Sequence, residues 1–196
     1  MTTTLKEIDT SPAWRNRGIG YVLAVAIAAF DQWVKYYVVD VLGLTERGDH
    51  YPILPFFDFT RTNNYGVSLG MFEATSLEMR WGLVAVTALI AVVVAVWMLR
   101  ERKLWEIIPL ALILGGAIGN IRDRWLYGYV IDFADFHIGD FRPFLIFNVA
   151  DAAITVGVVI ILARALFIRE KPDDEQEHAP VPDNKPVKRT DPAETR

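Results

Sequence analysis

Four long apolar segments, separated by short polar clusters, form the pattern of this 196-residue chain. Residues 81–99 are the clearest of them, with 19 positions and no charged side chain. At a rise of about 1.5 Å per residue, a helix of that length crosses a hydrocarbon core of roughly 30 Å. The other three segments are residues 19–41, 104–126 and 148–168. The pattern therefore predicts four transmembrane helices.

The first segment also has a competing interpretation as a secretory signal peptide. Arg15 and Arg17 precede it, and residues 26–28 (Ala-Ile-Ala) resemble a small-residue cleavage site. Apolar character resumes through residues 33–41, however, as in a helix that is retained. We therefore expect residues 19–41 to remain as the first span.

Basic residues are unevenly distributed among the segments that flank the spans. Nine Lys and Arg residues lie in residues 1–18, 100–106 and 164–171, whereas residues 42–79 and 125–147 hold three. Because Lys and Arg concentrate on the cytoplasmic side of membrane proteins, both termini are predicted to be cytoplasmic. The two longer loops then lie at the outer face.

These boundaries divide the chain into three parts. Residues 1–18 are a polar cytoplasmic lead, and residues 19–168 are a membrane domain with outer loops at 42–80 and 125–147. Residues 169–196 contain five prolines and fourteen charged side chains. Such a segment has too few apolar groups to offset the entropy lost on ordering, so we expect a disordered cytoplasmic tail.

The outer loops are rich in aromatic residues. Residues 51–62 combine aromatic and β-branched side chains, which predicts one or two short strands. Residues 63–70 then supply turn formers and two glycines. Residues 133–147 are again aromatic, and we expect part of them to pair with or pack on the first loop.

The composition excludes some classes of catalytic site. The chain is 53% hydrophobic, has a net charge of −4 and contains no cysteine, so thiol catalysis and thiolate metal sites are excluded. His50, His137 and His178 are scattered rather than paired at ligand spacing, which argues against zinc hydrolysis. We expect no metal, no cofactor and no nucleic-acid partner.

Two spans carry polar residues at helical spacing. Asp31 and Lys35 are four residues apart, so their opposite charges can neutralise each other inside the bundle; a structural ion pair is the favoured interpretation. In the third span, Asn120, Asp123 and Arg124 share one face. Arg124 could pair with Asp123 or hold a substrate carbonyl, and the spacing leaves both open.

The third span also contains Gly115 and Gly119. Two small residues at this spacing allow membrane helices to approach closely.

Carboxylates at the ends of the spans are candidates for catalysis. Asn148 and Asp151 lie in the predicted first turn of the fourth span, where they could simply cap the helix. Asp132, however, is another loop carboxylate among apolar neighbours. Two such groups in a partly dry site share a proton and can act as general acid and base toward an amide. Spacing alone does not choose Asp132 over Asp123 as the second partner.

Five ordered blocks give the chain a family resemblance. They are residues 31–35 (DQWVK), 64–70 (NYGVSLG), 115–124 (GGAIGNIRDR), 128–133 (GYVIDF) and 147–151 (FNVAD), followed by Ile154 and Gly157. With these blocks the chain resembles bacterial lipoprotein signal peptidase, the type II signal peptidase, over roughly residues 19–168. The second block departs slightly, with Val67, Ser68 and Leu69 where the family more often has Ala, Ala and Phe.

The resemblance implies an all-α polytopic membrane protein of four transmembrane helices, with a small periplasmic β-cradle and a short periplasmic helix. It implies an aspartic endopeptidase that cleaves diacylglyceryl-modified prolipoproteins before the lipidated cysteine, with Asp132 and Asp151 as the catalytic dyad. The side chains implied to line the site or contact substrate or the antibiotic globomycin are Asn64, Gly66, Asn120, Arg124 and Asn148. Asp31, Lys35 and Asp123 are implied to hold the bundle together.

The expected location is the bacterial cytoplasmic membrane, with the active site at the outer face and a monomer surrounded by lipid. Two other classes are weighed against the peptidase. A small ion-coupled transporter could use Asp31, Asp123 and Asp151 as a proton path, but the absence of charge in residues 81–99 and of a visible internal repeat disfavours it. An assembly protein without chemistry would leave the paired carboxylates unexplained.

Overall fold

Four helices account for most of the fold. The computed structural model describes residues 12–66, 77–139 and 141–167. Within these residues the helices are α1 (Ala13–Tyr36), α2 (Leu77–Arg100), α3 (Leu104–Leu126) and α4 (Val149–Phe167). A π-helical turn, Tyr37–Val41, extends α1. Each helix is long and apolar enough to cross a membrane, which confirms the four predicted spans.

Some expectations fall on residues that are not described. The tail, most of the polar lead and residues 67–76 of the first outer loop lie outside the described residues. The short periplasmic helix is not seen within the described part of the chain.

The first helix starts earlier than its apolar segment. It begins at Ala13, within the predicted polar lead. Asn16 Nδ2 donates a hydrogen bond of 2.9 Å to the carbonyl of Arg102, and Arg17 Nε donates one of 2.9 Å to the carbonyl of Glu101. These bonds satisfy carbonyl groups between α2 and α3, so the first turn of α1 is part of the packed bundle.

A three-stranded antiparallel sheet covers one end of the bundle. Its strands are β1 (His50–Leu54), β2 (Phe57–Asn64) and β3 (Val130–Phe136), in the order β1-β2-β3. The strands predicted in the first outer loop are therefore present, and the second outer loop pairs with them through β3. The aromatic rings of the loops meet on this sheet, with Phe59 and Phe133 in edge-to-face contact at 5.5 Å.

Helix α3 lies at the centre and packs against the other three helices. Two of its glycines permit this packing. A Cβ atom on Gly115 would lie 2.5 Å from the carbonyl oxygen of Ala24, and one on Gly119 would lie 2.7 Å from Oδ2 of Asp31. The expected close approach between helices is thus present, and at Gly119 it makes room for a buried carboxylate.

Candidate active site

Asp132 lies on β3, rather than in a loop as its flanking residues suggested. It pairs in register with Thr62 of β2, and its side chain is buried. Both carboxylate oxygens accept hydrogen bonds from amide side chains: Oδ1 from Asn148 Nδ2 at 2.6 Å and Oδ2 from Asn64 Nδ2 at 3.1 Å. The strand thus holds this carboxylate in a fixed orientation.

Asp151 lies in the first turn of α4, where it forms a reciprocal cap with Asn148. The backbone N–H of Asp151 donates to Asn148 Oδ1 at 2.9 Å, and the backbone N–H of Asn148 donates to Asp151 Oδ2 at 3.4 Å. The capping arrangement considered from the sequence is therefore present. It leaves Oδ1 of Asp151 to accept a bond of 2.8 Å from Asn120 Nδ2.

Two asparagines connect the carboxylates. Asn148 Nδ2, which donates to Asp132, also donates to Asn120 Oδ1 at 3.3 Å, and Asn120 in turn donates to Asp151. A continuous hydrogen-bonded path therefore runs from Asp132 through Asn148 and Asn120 to Asp151. Residues from β3, α3 and the start of α4 meet in one network.

The environment of Asp132 favours its protonated form. Burial, followed by the nearby charge of Asp151, raises the pKa of Asp132 from 3.8 to about 7, although the hydrogen bonds from Asn64 and Asn148 oppose the rise. A carboxyl group with a pKa near neutrality can donate and recover a proton at physiological pH.

Near Asp132 and Asp151, Lys35 forms ion pairs with two other buried carboxylates. Its Nζ lies 2.7 Å from Asp31 Oδ2 and 2.8 Å from Asp123 Oδ2. The ion pair expected between Asp31 and Lys35 is present, and Asp123 pairs with Lys35 rather than with Arg124. This three-residue cluster joins α1 to α3.

The same cluster also holds the backbone next to Asp132 and next to Asp151. The N–H of Ala150 donates to Asp31 Oδ1 at 2.9 Å, and the N–H of Ile131 donates to Asp123 Oδ2 at 3.2 Å. Ala150 directly precedes Asp151 and Ile131 directly precedes Asp132. The cluster therefore fixes the relative positions of the two carboxylates without contacting either one.

Arg124 points toward the first outer loop. Its Nη2 donates a hydrogen bond of 2.9 Å to the carbonyl oxygen of Gly66, whose backbone N–H donates to Asn64 Oδ1 at 3.1 Å. Arg124 thus holds the turn that follows Asn64, the residue that donates to Asp132.

A cavity of about 1100 Å³ opens over the carboxylates. Asp132, Asp151, Asn64 and Gly66 line its polar part. Its apolar part is lined by Phe144, Leu145, Ile146, Phe147 and Val156. A mainly apolar cavity with a few converging polar groups is typical of a site for an amphipathic ligand.

Sequence reasoning missed one pair beside the cavity. Arg142, which lines the cavity, lies 3.0 Å from Asp135, a fully buried residue of β3 that also accepts a bond from Thr60. The sequence signal was weak, because Asp135 was one more carboxylate among aromatic residues. Among the described residues, no cluster of three His, Cys, Asp or Glu side chains could hold a metal ion.

Comparison with known proteins adds independent information. The family model described as signal peptidase (SPase) II matches residues 23–167. A protein of Sphingopyxis alaskensis described as a lipoprotein signal peptidase is 51% identical over 152 residues, which cover 78% of this chain and 87% of that protein. A protein of Rhizorhabdus wittichii with the same description is 50% identical over 155 residues, covering 79% and 90%.

Solved structures show the same fold. A bacterial membrane enzyme determined at 2.3 Å resolution aligns with a TM-score of 0.69 and 27% identity, over 81% of this chain and 94% of that one. A second bacterial membrane enzyme, at 1.9 Å, aligns with a TM-score of 0.66 and 29% identity, over 78% and 95%.

Proposed function

The chain belongs to the signal peptidase II family, and from this premise we propose that Asp132 and Asp151 are the catalytic dyad of an aspartic endopeptidase. The chain is a multi-pass membrane protein with the function of a lipoprotein signal peptidase. Membership of a peptidase family decides against the transporter and the assembly protein. The proposed reaction is cleavage of a diacylglyceryl-modified prolipoprotein immediately before its lipidated cysteine.

The observation that carries the proposal is the hydrogen-bonded path between the two carboxylates beneath the cavity. Because its pKa is raised to about 7, a large share of Asp132 keeps its proton near neutral pH, and we assign it the role of acid. We assign the role of base to Asp151, whose two oxygens both accept hydrogen bonds. The pair therefore holds one acid and one base.

In the proposed mechanism, Asp151 accepts a proton from a water molecule as the water oxygen attacks the scissile carbonyl carbon. Asp132 donates its proton to the carbonyl oxygen, which yields a tetrahedral intermediate. The C–N bond then breaks as Asp151 returns a proton to the departing amine, and the intermediate's hydroxyl returns its proton to Asp132. Protons balance at each step, and the dyad ends as it began.

In this proposal, some of the remaining polar residues contact the substrate and others position the two carboxylates. Asn64 and Gly66 line the cavity and contact the substrate backbone. Asn120 and Asn148 orient the two carboxylates, and Arg124 acts through the turn at Gly66. The apolar cavity wall accommodates the signal helix and the acyl chains as the substrate arrives laterally through the bilayer.

We also propose that the dyad faces the outer side, with both termini in the cytoplasm and a monomer as the active form. Contacts of Asn16 with Arg102, and of Arg164 with Trp105, bring the basic flanks of α1, α3 and α4 to one end of the bundle. The distribution of positive charge favours that end as the cytoplasmic one. The sheet and the dyad lie at the opposite end.

Substitution of each aspartate tests the dyad. Asp132→Asn and Asp151→Asn should each lower the cleavage rate of a lipidated prolipoprotein in proteoliposomes by about 100-fold or more, because neither amide can exchange the required proton. The matched control is Asp58→Asn on β2, which removes a carboxylate that pairs with His137 and does not line the cavity. Rapid cleavage by either folded dyad variant would refute the assignment.

A further inference from the structure

A second pocket, separate from the dyad cavity, lies beside the outer end of α1. Its volume is about 320 Å³. The residues that matter for its chemistry are three tyrosines, two arginines and one aspartate: Tyr36, Tyr127, Tyr129, Arg61, Arg122 and Asp40. None of them belongs to the proposed catalytic machinery.

Arg61 is the most informative residue of this pocket. Only 5% of its surface is exposed, yet within the described part of the chain no carboxylate lies within ion-pair distance of its guanidinium. Its Nη1 donates to the carbonyl of Leu44 and its Nη2 to the hydroxyl of Tyr129, but its buried Nε has no hydrogen-bond partner there. A buried cation without a counterion is costly, so an anionic ligand would satisfy both the charge and the free N–H.

The other basic groups of the pocket differ in how far they are already neutralised. The ammonium of Lys35 is paired with Asp31 and Asp123. Arg122 is exposed and donates to Gln32 Oε1, a neutral acceptor. Two guanidinium groups without a carboxylate partner among the described residues therefore face one small pocket, an arrangement that suits a phosphate group.

The pocket also offers a complementary site for a cation. Asp40 is exposed and has no ion-pair partner in the described residues. Tyr127 and Tyr129 place their rings 6.2 Å apart on the same pocket. A carboxylate beside aromatic faces favours an ammonium group.

Exposed aromatic side chains lie on the same stretch of α1 as the pocket residue Tyr36. Phe30, Trp33 and Tyr37 form a stacked row on the exposed face of α1, and Trp125 is exposed near the end of α3. Aromatic side chains of this kind concentrate at the level of lipid headgroups. A ligand that is part of the bilayer therefore has direct access.

We propose that this pocket binds the headgroup of a phospholipid that carries both a phosphodiester and a primary amine, as in phosphatidylethanolamine. The phosphodiester contacts Arg61 and Arg122, and the amine contacts Asp40 and the tyrosine rings. Free phosphoethanolamine carries the same phosphate and amine groups as the lipid headgroup, but the position of the pocket favours the lipid.

Native mass spectrometry of the full chain in detergent tests the proposal. Phosphatidylethanolamine, phosphatidylcholine and phosphatidylglycerol are titrated in parallel, with soluble phosphoethanolamine and inorganic phosphate as separate arms. Arg61→Gln should weaken phosphatidylethanolamine binding by about tenfold or more, since a charge-assisted hydrogen bond is lost. Arg100→Gln is the control. It removes a charge at the C-terminal end of α2, does not line the pocket and should leave binding unchanged.

A second variant keeps the test decisive if Arg61→Gln unfolds, because Arg61 also bonds to Leu44 and Tyr129. The exposed Asp40→Asn should fold and should lose the preference for phosphatidylethanolamine over phosphatidylglycerol. Equal binding of all three lipids by the wild type, or no effect of either variant, would overturn the proposal. Binding of free phosphoethanolamine or phosphate without binding of the lipid would also overturn it.

Discussion

Replacing Asn64 with alanine should shift the pH dependence of cleavage toward higher pH. Asn64 Nδ2 donates to Asp132 Oδ2 at 3.1 Å, and this bond favours the ionised carboxylate. Without this bond, the pKa of Asp132 should rise above its present value of about 7. In the proposed mechanism Asp132 acts as the acid, so the variant retains the catalytic proton to a higher pH.

The expected size of the shift follows from the bond that is lost. A hydrogen bond to a charged group contributes roughly 1.5–3 kcal/mol, and about 1.4 kcal/mol corresponds to one pKa unit. The lower end applies here, because the bond is fairly long and Asn148 still donates to the other oxygen at 2.6 Å. The alkaline limb of kcat/KM should move up by about one pH unit.

The assay is cleavage of a lipidated prolipoprotein by full-length protein in detergent micelles, with kcat/KM measured from about pH 5 to about pH 10. The position of the limb is the readout, because loss of the bond from Gly66 to Asn64 can also lower the overall rate. Asn63→Ala is the matched control, because Asn63 is next to Asn64 on the same strand and has no hydrogen bond to Asp132. An unmoved limb in Asn64→Ala, or a shift to lower pH, would refute the assignment of Asp132 as the acid.

Two further perturbations test the scaffold and the tail. Gly119→Ala places a Cβ 2.7 Å from Asp31 Oδ2. It should destabilise the protein by about 1–3 kcal/mol through overpacking, which lowers the melting temperature. Gly82→Ala, with open space around the new Cβ, is the control, and equal melting temperatures of the two variants would contradict the packing argument. Deleting residues 172–196 should leave peptidase activity largely intact, because those residues lie outside the family match; lost activity at normal membrane levels would give the tail a role.

Much of the fold could be predicted from local sequence. The four spans follow from apolar length, since residues 81–99 have no charge and few alternatives to a membrane helix. The pairing of Asp31 with Lys35 follows from their spacing of four on one helix. The cap formed by Asn148 and Asp151 is equally local, because both residues belong to a single turn.

The candidate site could be predicted only in part. Spacing left Asp123 and Asp132 as alternative partners of Asp151, and the family pattern chose between them. In the structure, Asp123 forms an ion pair with Lys35. Asp132 accepts hydrogen bonds from Asn64 and Asn148.

By itself the sequence determined which segments enter the membrane and which side chains are polar enough to need a partner there, because both properties depend on residues close together in the chain. Only the tertiary structure decided which partners these side chains have on other helices and strands. Arg124 donates to the carbonyl of Gly66, and Asp31 accepts a hydrogen bond from the backbone N–H of Ala150 at the start of α4. Arg61 is buried beside Tyr129, and no carboxylate among the described residues forms an ion pair with it. Such contacts depend on how the helices rotate against one another and on the register of β2 with β3, which no local pattern specifies.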